Sequence, residues 1–521
     1  MTNSALCSEL GSEEEPMLTL TGELLRPDEL WRFCREAASA ESLSIELSPA
    51  AWSRIEAAGA FVDRLVESGE RIYGVNTGVG FLRNVVIDRD RLSELQKNLI
   101  RSHCCGVGEE LPRALVLAMW VIVLNSACRG HRGLRRPTVE AALKLLQHGI
   151  LGCVPARGSV GASGDLAPSA HAALALIGEG PCTVVRQGET LRIPAAQALA
   201  EEGLLPADLQ PKEGLSLMNG TQMTTAMAVS VWSEAKNLLE TANLATALSL
   251  LGVKGFPSVS PEELLIAHGH PGTLECGRMI REWLHDPVRP IHEPDHQQDP
   301  YCLRCAPQVH GAVLEEVEAT ETILVRELNS SADNPLVFAD LGKVAHGGNF
   351  HAIQPARVCD RLASALTTLA AISERRVNLA MNGDRTGLPH FLISEGGLNS
   401  GLMMVQTTAA ALVSECRSLS FPASTDSIPT NCDQEDHVSM GPIAALKAMR
   451  VAENVRYVLA IELLTAIQAI DLRKVEHLPP RTAAAHRMLR ECADFLAQDR
   501  VNSHDIEAIA ALIESGKLSR C

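Results

Sequence analysis

A mainly α-helical chain with a long helical bundle is predicted by three observations. Apolar residues recur at helical spacing over long stretches, short Gly/Pro breakers separate those stretches, and aromatic residues make up only 3% of an Ala- and Leu-rich composition. Residues 1–16 read as a disordered acidic tail. Thr19–Leu47 carries short apolar alternation and a first helix around Leu30–Ala38, and Pro49–Glu67 a second helix that ends near Gly69. From Arg89 to Leu151 helical patterns alternate with breaks and lead into a loop over Pro155–Pro168. Strand-like runs around Val184–Ile193 predict a small sheet. After about Val231 the pattern is strongly helical. Val313, Val317, Leu324 and Leu328 lie on one face and stop at Asp333-Asn334-Pro335; Leu362, Leu366 and Leu369 repeat the pattern within Arg357–Arg376; Gly441–Ile470 is a third long helix. The organisation predicted is a tail over 1–16, an amino-terminal domain over 17–230 and a helical bundle over 231–521. Helices of this length expose wide apolar faces unless partnered, which predicts an oligomer.

Composition excludes several classes. With 63 acidic against 46 basic residues, the formal net charge is −17, the wrong sign for a general nucleic-acid or anionic-membrane binder. The longest apolar run, Ala114–Leu124, is short of the roughly 20 residues that span a bilayer. The amino terminus shows neither a basic region nor an apolar stretch, so a cytoplasmic protein is expected. Fifteen cysteines, an odd number scattered along a long chain, do not form a secreted disulfide framework. Cys302-Leu-Arg-Cys305 lacks the second pair that zinc needs, and Cys104-Cys105 are adjacent, so reduced thiols are the expectation.

The most distinctive stretch is Gly158-Ser-Val-Gly-Ala-Ser-Gly-Asp-Leu-Ala-Pro168. It lacks the Lys-Ser/Thr ending of a phosphate loop, and Asp165 stands where a nucleophile elbow needs glycine. Its core, Ala162-Ser163-Gly164, has a chemistry of its own. If a tight turn presses the Gly164 amide nitrogen on the Ala162 carbonyl carbon, a five-membered ring closes. Loss of water, including the Ser163 hydroxyl, leaves an exposed methylene on an electron-poor ring. Glycine suits the attacking position because it lacks Cβ and tolerates strained backbone angles.

With this string, Tyr73-Gly-Val-Asn-Thr-Gly-Val-Gly80, Met218-Asn-Gly-Thr-Gln222, Gln298-Asp-Pro-Tyr-Cys-Leu-Arg304, Glu327-Leu-Asn-Ser-Ser-Ala-Asp-Asn-Pro335 and Gly396-Gly-Leu-Asn-Ser-Gly401, the chain resembles the ammonia-lyases and aminomutases, most closely the branch acting on histidine. The resemblance runs from about Leu18 to Leu478. It implies the ammonia-lyase/fumarase-like fold, with a loop-rich amino-terminal domain carrying small β elements beside a long central helical bundle. It implies a homotetramer whose sites draw residues from three subunits, an amino acid substrate, and a self-formed 4-methylidene-imidazol-5-one from Ala162, Ser163 and Gly164 with no external cofactor. By the same resemblance Tyr73 is the catalytic base. A phenol titrates near pH 10 and would have to be tuned downward to take a β-proton. Arg304 is the carboxylate clamp, Gln298 and Tyr301 line the same site, Asn219 binds substrate near the ring, and Phe350 packs against it.

Two positions bear on the substrate. Ser102-His103 matches the histidine branch, where tyrosine and phenylalanine enzymes show His-Leu and Phe-Leu. Glu435, in Gln434-Glu-Asp-His-Val-Ser-Met440, puts a carboxylate where those enzymes usually carry glutamine. A carboxylate orients or protonates an imidazole and has no comparable partner on a benzene ring, so the pocket should reject analogues that leave it unpaired. Structural readings compete: His103 as a satisfied core histidine, Glu435 as a helix start or cap. Val79, Ala352-Ile353 and Asp433 depart from the strings usual in that branch. The expected reaction is ammonia elimination from histidine; an aminomutase, or a tyrosine or phenylalanine ammonia-lyase, is the alternative. His268, His270, His285, His292, Glu293, Asp295 and His296 crowd one region but match no helical metal motif, and no metal site is expected.

Overall fold

The computed structural model describes residues 17–255, 261–284 and 298–518. The chain divides into two compact units, each discontinuous in sequence. Of the described residues, 17–229, 324–356 and 424–443 belong to the first, and those of 230–323, 357–423 and 444–518 to the second.

The first unit holds short helices and four small sheets. Met17–Leu20 pairs in parallel with Ser44–Leu47, each alternating outward and buried side chains from its Thr/Leu and Ser/Ile/Glu/Leu pattern. The run at Val184–Ile193 is a hairpin, Pro181–Arg186 against Glu189–Pro194. Helix Pro49–Ser68 starts where the Ser48 hydroxyl accepts the Ala51 N–H and proline fills the first turn, and stops at Gly69 with φ +70°. The long apolar run becomes helix Arg113–Ala127, buried on every side from Leu115 to Ala127. A helix that is apolar all round belongs in a core, and among the described residues none is long and apolar enough to cross a membrane.

The second unit is built on the greater part of four long helices, Gln222–Val253, Ala306–Leu328, Ile353–Ala380 and Gly441–Arg473. Their apolar faces meet a buried ion pair: Arg376 donates to both Glu462 oxygens, at 2.5 and 2.9 Å, and the Ser249 and Ser373 hydroxyls complete the carboxylate's bonding. The predicted tail over 1–16 lies outside the described residues.

Candidate active site

The site is built from turns that the helices hold at their ends. Helix Gln222–Val253 begins over a buried carboxylate: Asp165 accepts from the Thr224 N–H and hydroxyl, both at 2.8 Å. This partly offsets the cost of burial, which pushes the Asp165 carboxyl up to about 6. The Asp165 N–H donates to the Gly220 carbonyl at 2.7 Å, so the segment before it is tied to the turn that starts the helix. That segment is Ala162-Ser163-Gly164. The Gly164 N–H closes a turn on the Gly161 carbonyl at 3.1 Å, and Ser163 and Gly164 are left-handed at φ +51° and +82°. A Cβ on Gly164 would stand 2.0 Å from the Gly220 carbonyl oxygen and 2.9 Å from that of Phe350. Only glycine fits.

Glu435 faces this turn. Its Oε1 accepts the Ser163 hydroxyl at 2.8 Å, and its Oε2 accepts the Thr430 hydroxyl at 2.8 Å. Thr430 and Glu435 also exchange backbone hydrogen bonds of 2.9 and 3.3 Å across the left-handed residues Asn431, Cys432 and Asp433. Glu435 is thus neither a helix start nor a cap; helix Gly441–Arg473 begins six residues later.

Tyr73 sits in the adjoining loop. Its phenol accepts the Gly80 N–H at 3.1 Å, Asn431 Oδ1 accepts the Phe81 N–H at 3.2 Å, and the ring meets His346 edge-on with centroids 6.1 Å apart. The expectation that the phenol is tuned downward needs correction. Burial, with the Glu435 charge, pushes it up from the ordinary tyrosine value, against the smaller lowering effects of the Gly80 N–H and Arg83.

Asn219 closes the helix before the turn, and its side-chain oxygen is buried without a hydrogen-bond partner. Its position is fixed from behind. Arg132, almost fully buried, donates to the carbonyls of Ser216, Asn219 and Ala332, the last two at 3.2 and 3.1 Å. Lys212 reaches Asp333, Ser216 Oγ and the Arg132 carbonyl at 2.7–2.8 Å. Burial lowers both Arg132 and Lys212, with Asp333 the counter-charge that holds them up. Phe350, with its carbonyl toward Gly164, precedes His351, whose ring stacks on His437 at a centroid distance of 5.4 Å.

The other expected residues have surroundings of their own. His103 ends helix Leu92–His103, and its Nδ1 lies 2.7 Å from the Leu99 carbonyl and 3.2 Å from the Ser102 hydroxyl. Gln298, Tyr301 and Arg304 belong to the second unit, where they line one cleft with Leu303, Leu379 and Thr386. There Arg304 lies over the Tyr301 ring at 4.4 Å and donates through Nε to the Asp299 carbonyl at 3.0 Å. Among the described residues no group of three or more His, Cys, Asp or Glu is arranged to hold a metal. His268 and His270 are exposed and pack on each other, whereas His285, His292, Glu293, Asp295 and His296 lie outside the described residues.

Thr430, Asn431, Arg132, Lys212 and Asp333 were not read from the sequence as site residues. Nothing local marks Lys212 or Arg132, since each looks like a surface cation until its burial is known. Thr430 and Asn431 lie shortly before the Glu435 string, separated from it by Cys432 and Asp433, and that nearness was the only available signal.

The sequence profile of the aromatic amino acid lyases matches residues 25–491. A histidine ammonia-lyase of Anaeromyxobacter dehalogenans (strain 2CP-C) is 46% identical over 508 residues, 96% of this chain and 99% of that protein. Another, of Stigmatella aurantiaca, is 44% identical over 505 residues, 96% of this chain and 97% of that protein. Among solved structures, histidine ammonia-lyase from Trypanosoma cruzi matches with a TM-score of 0.89 at 38% identity, over 97% of this chain and 94% of that one. A tyrosine aminomutase from Streptomyces globisporus matches at 0.90 and 33%, over 97% and 98%. With a profile match over most of its length and relatives this similar along almost all of both chains, the chain belongs to the aromatic amino acid lyase family and is a carbon–nitrogen lyase.

Proposed function

We propose that the enzyme eliminates ammonia from L-histidine to give trans-urocanate, using a 4-methylidene-imidazol-5-one formed from Ala162, Ser163 and Gly164. The observation that carries the reading is the Glu435 carboxylate, 2.8 Å from the Ser163 hydroxyl and beside the loop of Tyr73. The residues fit the group. The turn is left-handed at two successive positions, has no room for a Cβ at Gly164, and has an unpartnered buried oxygen on Asn219 in the segment paired with it. When formed, the group supplies an electrophile that draws electron density from the substrate amine.

The chain's own residues supply the rest. Tyr73, once ionised, takes the β-proton, and the Gly80 N–H stabilises the phenolate. Arg304 pairs the substrate carboxylate through its terminal nitrogens, which make no hydrogen bond among the described residues. Gln298 and Tyr301 line that end, and Asn219 and Phe350 flank the electrophile. Glu435 and His103 read the imidazole. Glu435 is held at its outer oxygen by Thr430, so it presents one fixed oxygen to a ring N–H. An analogue without that donor leaves a desolvated carboxylate unpaired. The assembled enzyme is a cytoplasmic homotetramer with sites shared between subunits.

The test is incubation of purified protein with L-histidine, L-tyrosine and L-phenylalanine separately, with products identified by mass spectrometry. Urocanate and ammonia from histidine alone are expected. The match to a tyrosine aminomutase keeps a second outcome in view: a β-amino acid product would retain the electrophile and base but replace elimination by amine re-addition. Coumarate or cinnamate would overturn the reading of Glu435 and His103. Glu435→Gln is expected to narrow the preference for histidine by roughly tenfold or more, the worth of one hydrogen bond to a charged group.

A further inference from the structure

Glu435 accepts a hydrogen bond from the one side-chain oxygen that Ala162-Ser163-Gly164 must lose. We infer that Glu435 has a second task, to assist departure of the Ser163 hydroxyl when the chain makes its own electrophile. This rests on the reading that the tripeptide becomes 4-methylidene-imidazol-5-one.

Three features support it. The Ser163 hydroxyl is 2.8 Å from Glu435 Oε1, although the residues are 272 apart in sequence. The left-handed backbone at Ser163, φ +51°, is a conformation that an L-residue rarely adopts unless its surroundings impose it, and here it accompanies that contact. Glu435 itself is clamped, with Oε2 on the Thr430 hydroxyl and its backbone paired to Thr430 in both directions. A pre-oriented group at a leaving oxygen avoids reorganisation when the bond breaks.

The chemistry balances as two dehydrations. In the first, the Gly164 nitrogen bonds to the Ala162 carbonyl carbon, and the Ala162 oxygen leaves as water with the amide hydrogens of Gly164 and Ser163. In the second, the Ser163 Cα–H bond breaks and its electron pair forms the Cα–Cβ double bond. The Cβ–Oγ bond breaks with its pair on oxygen. The Cα proton passes to solvent and a proton from solvent reaches Oγ, while Glu435 in its acid form donates a hydrogen bond to that departing oxygen, so the second water leaves and Glu435 is unchanged. The requirement at position 435 is a hydrogen-bond donor aimed at Oγ, which a carboxylic acid or a primary amide meets.

The test reads mass rather than turnover. Full-length protein, wild type, Glu435→Leu and Glu435→Gln, is digested at intervals after synthesis, and the peptide containing residues 162–164 is weighed. Wild type is expected to lose two waters; a wild-type peptide that loses none refutes the prosthetic-group reading itself, whatever the variants do. Glu435→Leu is expected to accumulate the peptide one water lighter and to form the fully dehydrated one at least about tenfold more slowly, the kinetic equivalent of one hydrogen bond to a charged group. Glu435→Gln keeps a donor in place and is expected to mature within roughly threefold of wild type, a difference below one such bond. That rescue also separates lost chemistry from lost packing. If the leucine variant is not recovered folded, Thr430→Val, which frees the outer carboxylate oxygen, is expected to slow the second dehydration alone. Two-water loss at the wild-type rate in the leucine or valine variant, a leucine variant that loses no water, or a glutamine variant that fails to rescue would each overturn the inference.

Discussion

The Gly80 N–H donates to the phenol oxygen of Tyr73 at 3.1 Å, while the next N–H, of Phe81, donates to Asn431 at 3.2 Å. Tyr73 and the turn carrying Glu435 are therefore held by consecutive amides. A direct consequence is electrostatic. Glu435 raises the Tyr73 pKa and Arg83 lowers it; with Tyr73 as the proposed base acting as its phenolate, kcat/KM is expected to rise with pH through that pKa. Arg83→Gln removes a lowering charge and should move the rising limb to higher pH. Tyr73→Phe should lower kcat by about 10²–10⁴, the range of general-base catalysis. A profile that does not move in Arg83→Gln would detach that limb from Tyr73.

Gly164→Ala tests the tripeptide turn. The added Cβ would stand 2.0 Å from the Gly220 carbonyl oxygen at a backbone φ of +82°. Neither backbone can yield without breaking the Asp165 N–H bond to Gly220. The expected result is loss of the near-ultraviolet absorbance of the proposed electrophile and destabilisation of about 1–3 kcal/mol. Gly188→Ala is the matched control, since Gly188 is also left-handed at φ +79° but has nothing within 4 Å; it should keep the absorbance.

Asp165 predicts a pH dependence of stability. Its folded-state pKa, pushed from the ordinary 3.8 up to about 6 by burial, means the folded protein holds the proton more tightly than the unfolded chain. Its stabilising contribution is fully present below about pH 4 and lost as pH rises through about 6, on the order of 3 kcal/mol in total. Asp165→Asn does not titrate. Urea unfolding between pH 4 and 7 should show the wild type losing that increment relative to the variant. Parallel curves would refute the shift.

The sequence discloses elements more readily than contacts. Helix Pro49–Ser68 was legible as Pro49–Glu67 ending near Gly69, because helix starts and stops are local chemistry. The strand character around Val184–Ile193 was legible from its residue types, though not its hairpin, whereas the helix through Val313 and Leu324 stops at Leu328, short of the breaker Asp333-Asn334-Pro335. The Ser163 hydroxyl bond to Glu435 joins two strings that each drew notice, but no local rule joins them to each other. The segments 324–356 and 424–443, which the first unit recruits from far along the chain, are equally invisible to a reading by windows. The direction of the Tyr73 shift was missed because it depends on burial, which one string of residues does not report.

Lys212 and Asp333 give the sharpest stability test. They form a fully buried pair at 2.8 Å, with Arg132 as a second buried cation whose guanidinium holds Ser216, Asn219 and Ala332. Removing one member of a buried pair strands the other, a loss of about 3–5 kcal/mol. Lys212→Met should therefore lower the urea midpoint strongly. Lys212→Met with Asp333→Leu should recover only part of that loss, because the stranded carboxylate is gone but Arg132 then lacks the Asp333 charge beside it. A double variant no more stable than the single one would mean that Asp333 chiefly serves Arg132.

Arg304 carries the prediction that most directly joins geometry to substrate. Its Nε is committed to the Asp299 carbonyl and its guanidinium plane lies over the Tyr301 ring. That leaves the two terminal nitrogens as a fork of fixed direction, which suits a carboxylate through two parallel bonds. Lysine keeps the charge but has neither the plane nor the fork, and it cannot hold the Asp299 carbonyl and a ligand along two set directions at once. Arg304→Lys is therefore expected to raise KM for the amino acid roughly 10- to 100-fold, the loss of one hydrogen bond between charged groups. kcat should fall less, because the bond is made before the proton moves as well as during its transfer. Arg304→Met should raise KM further. Tyr301→Phe keeps the ring under the guanidinium, so any change it causes reports the hydroxyl alone. Equal KM in the arginine and lysine enzymes would place the carboxylate elsewhere and take Arg304 out of the site.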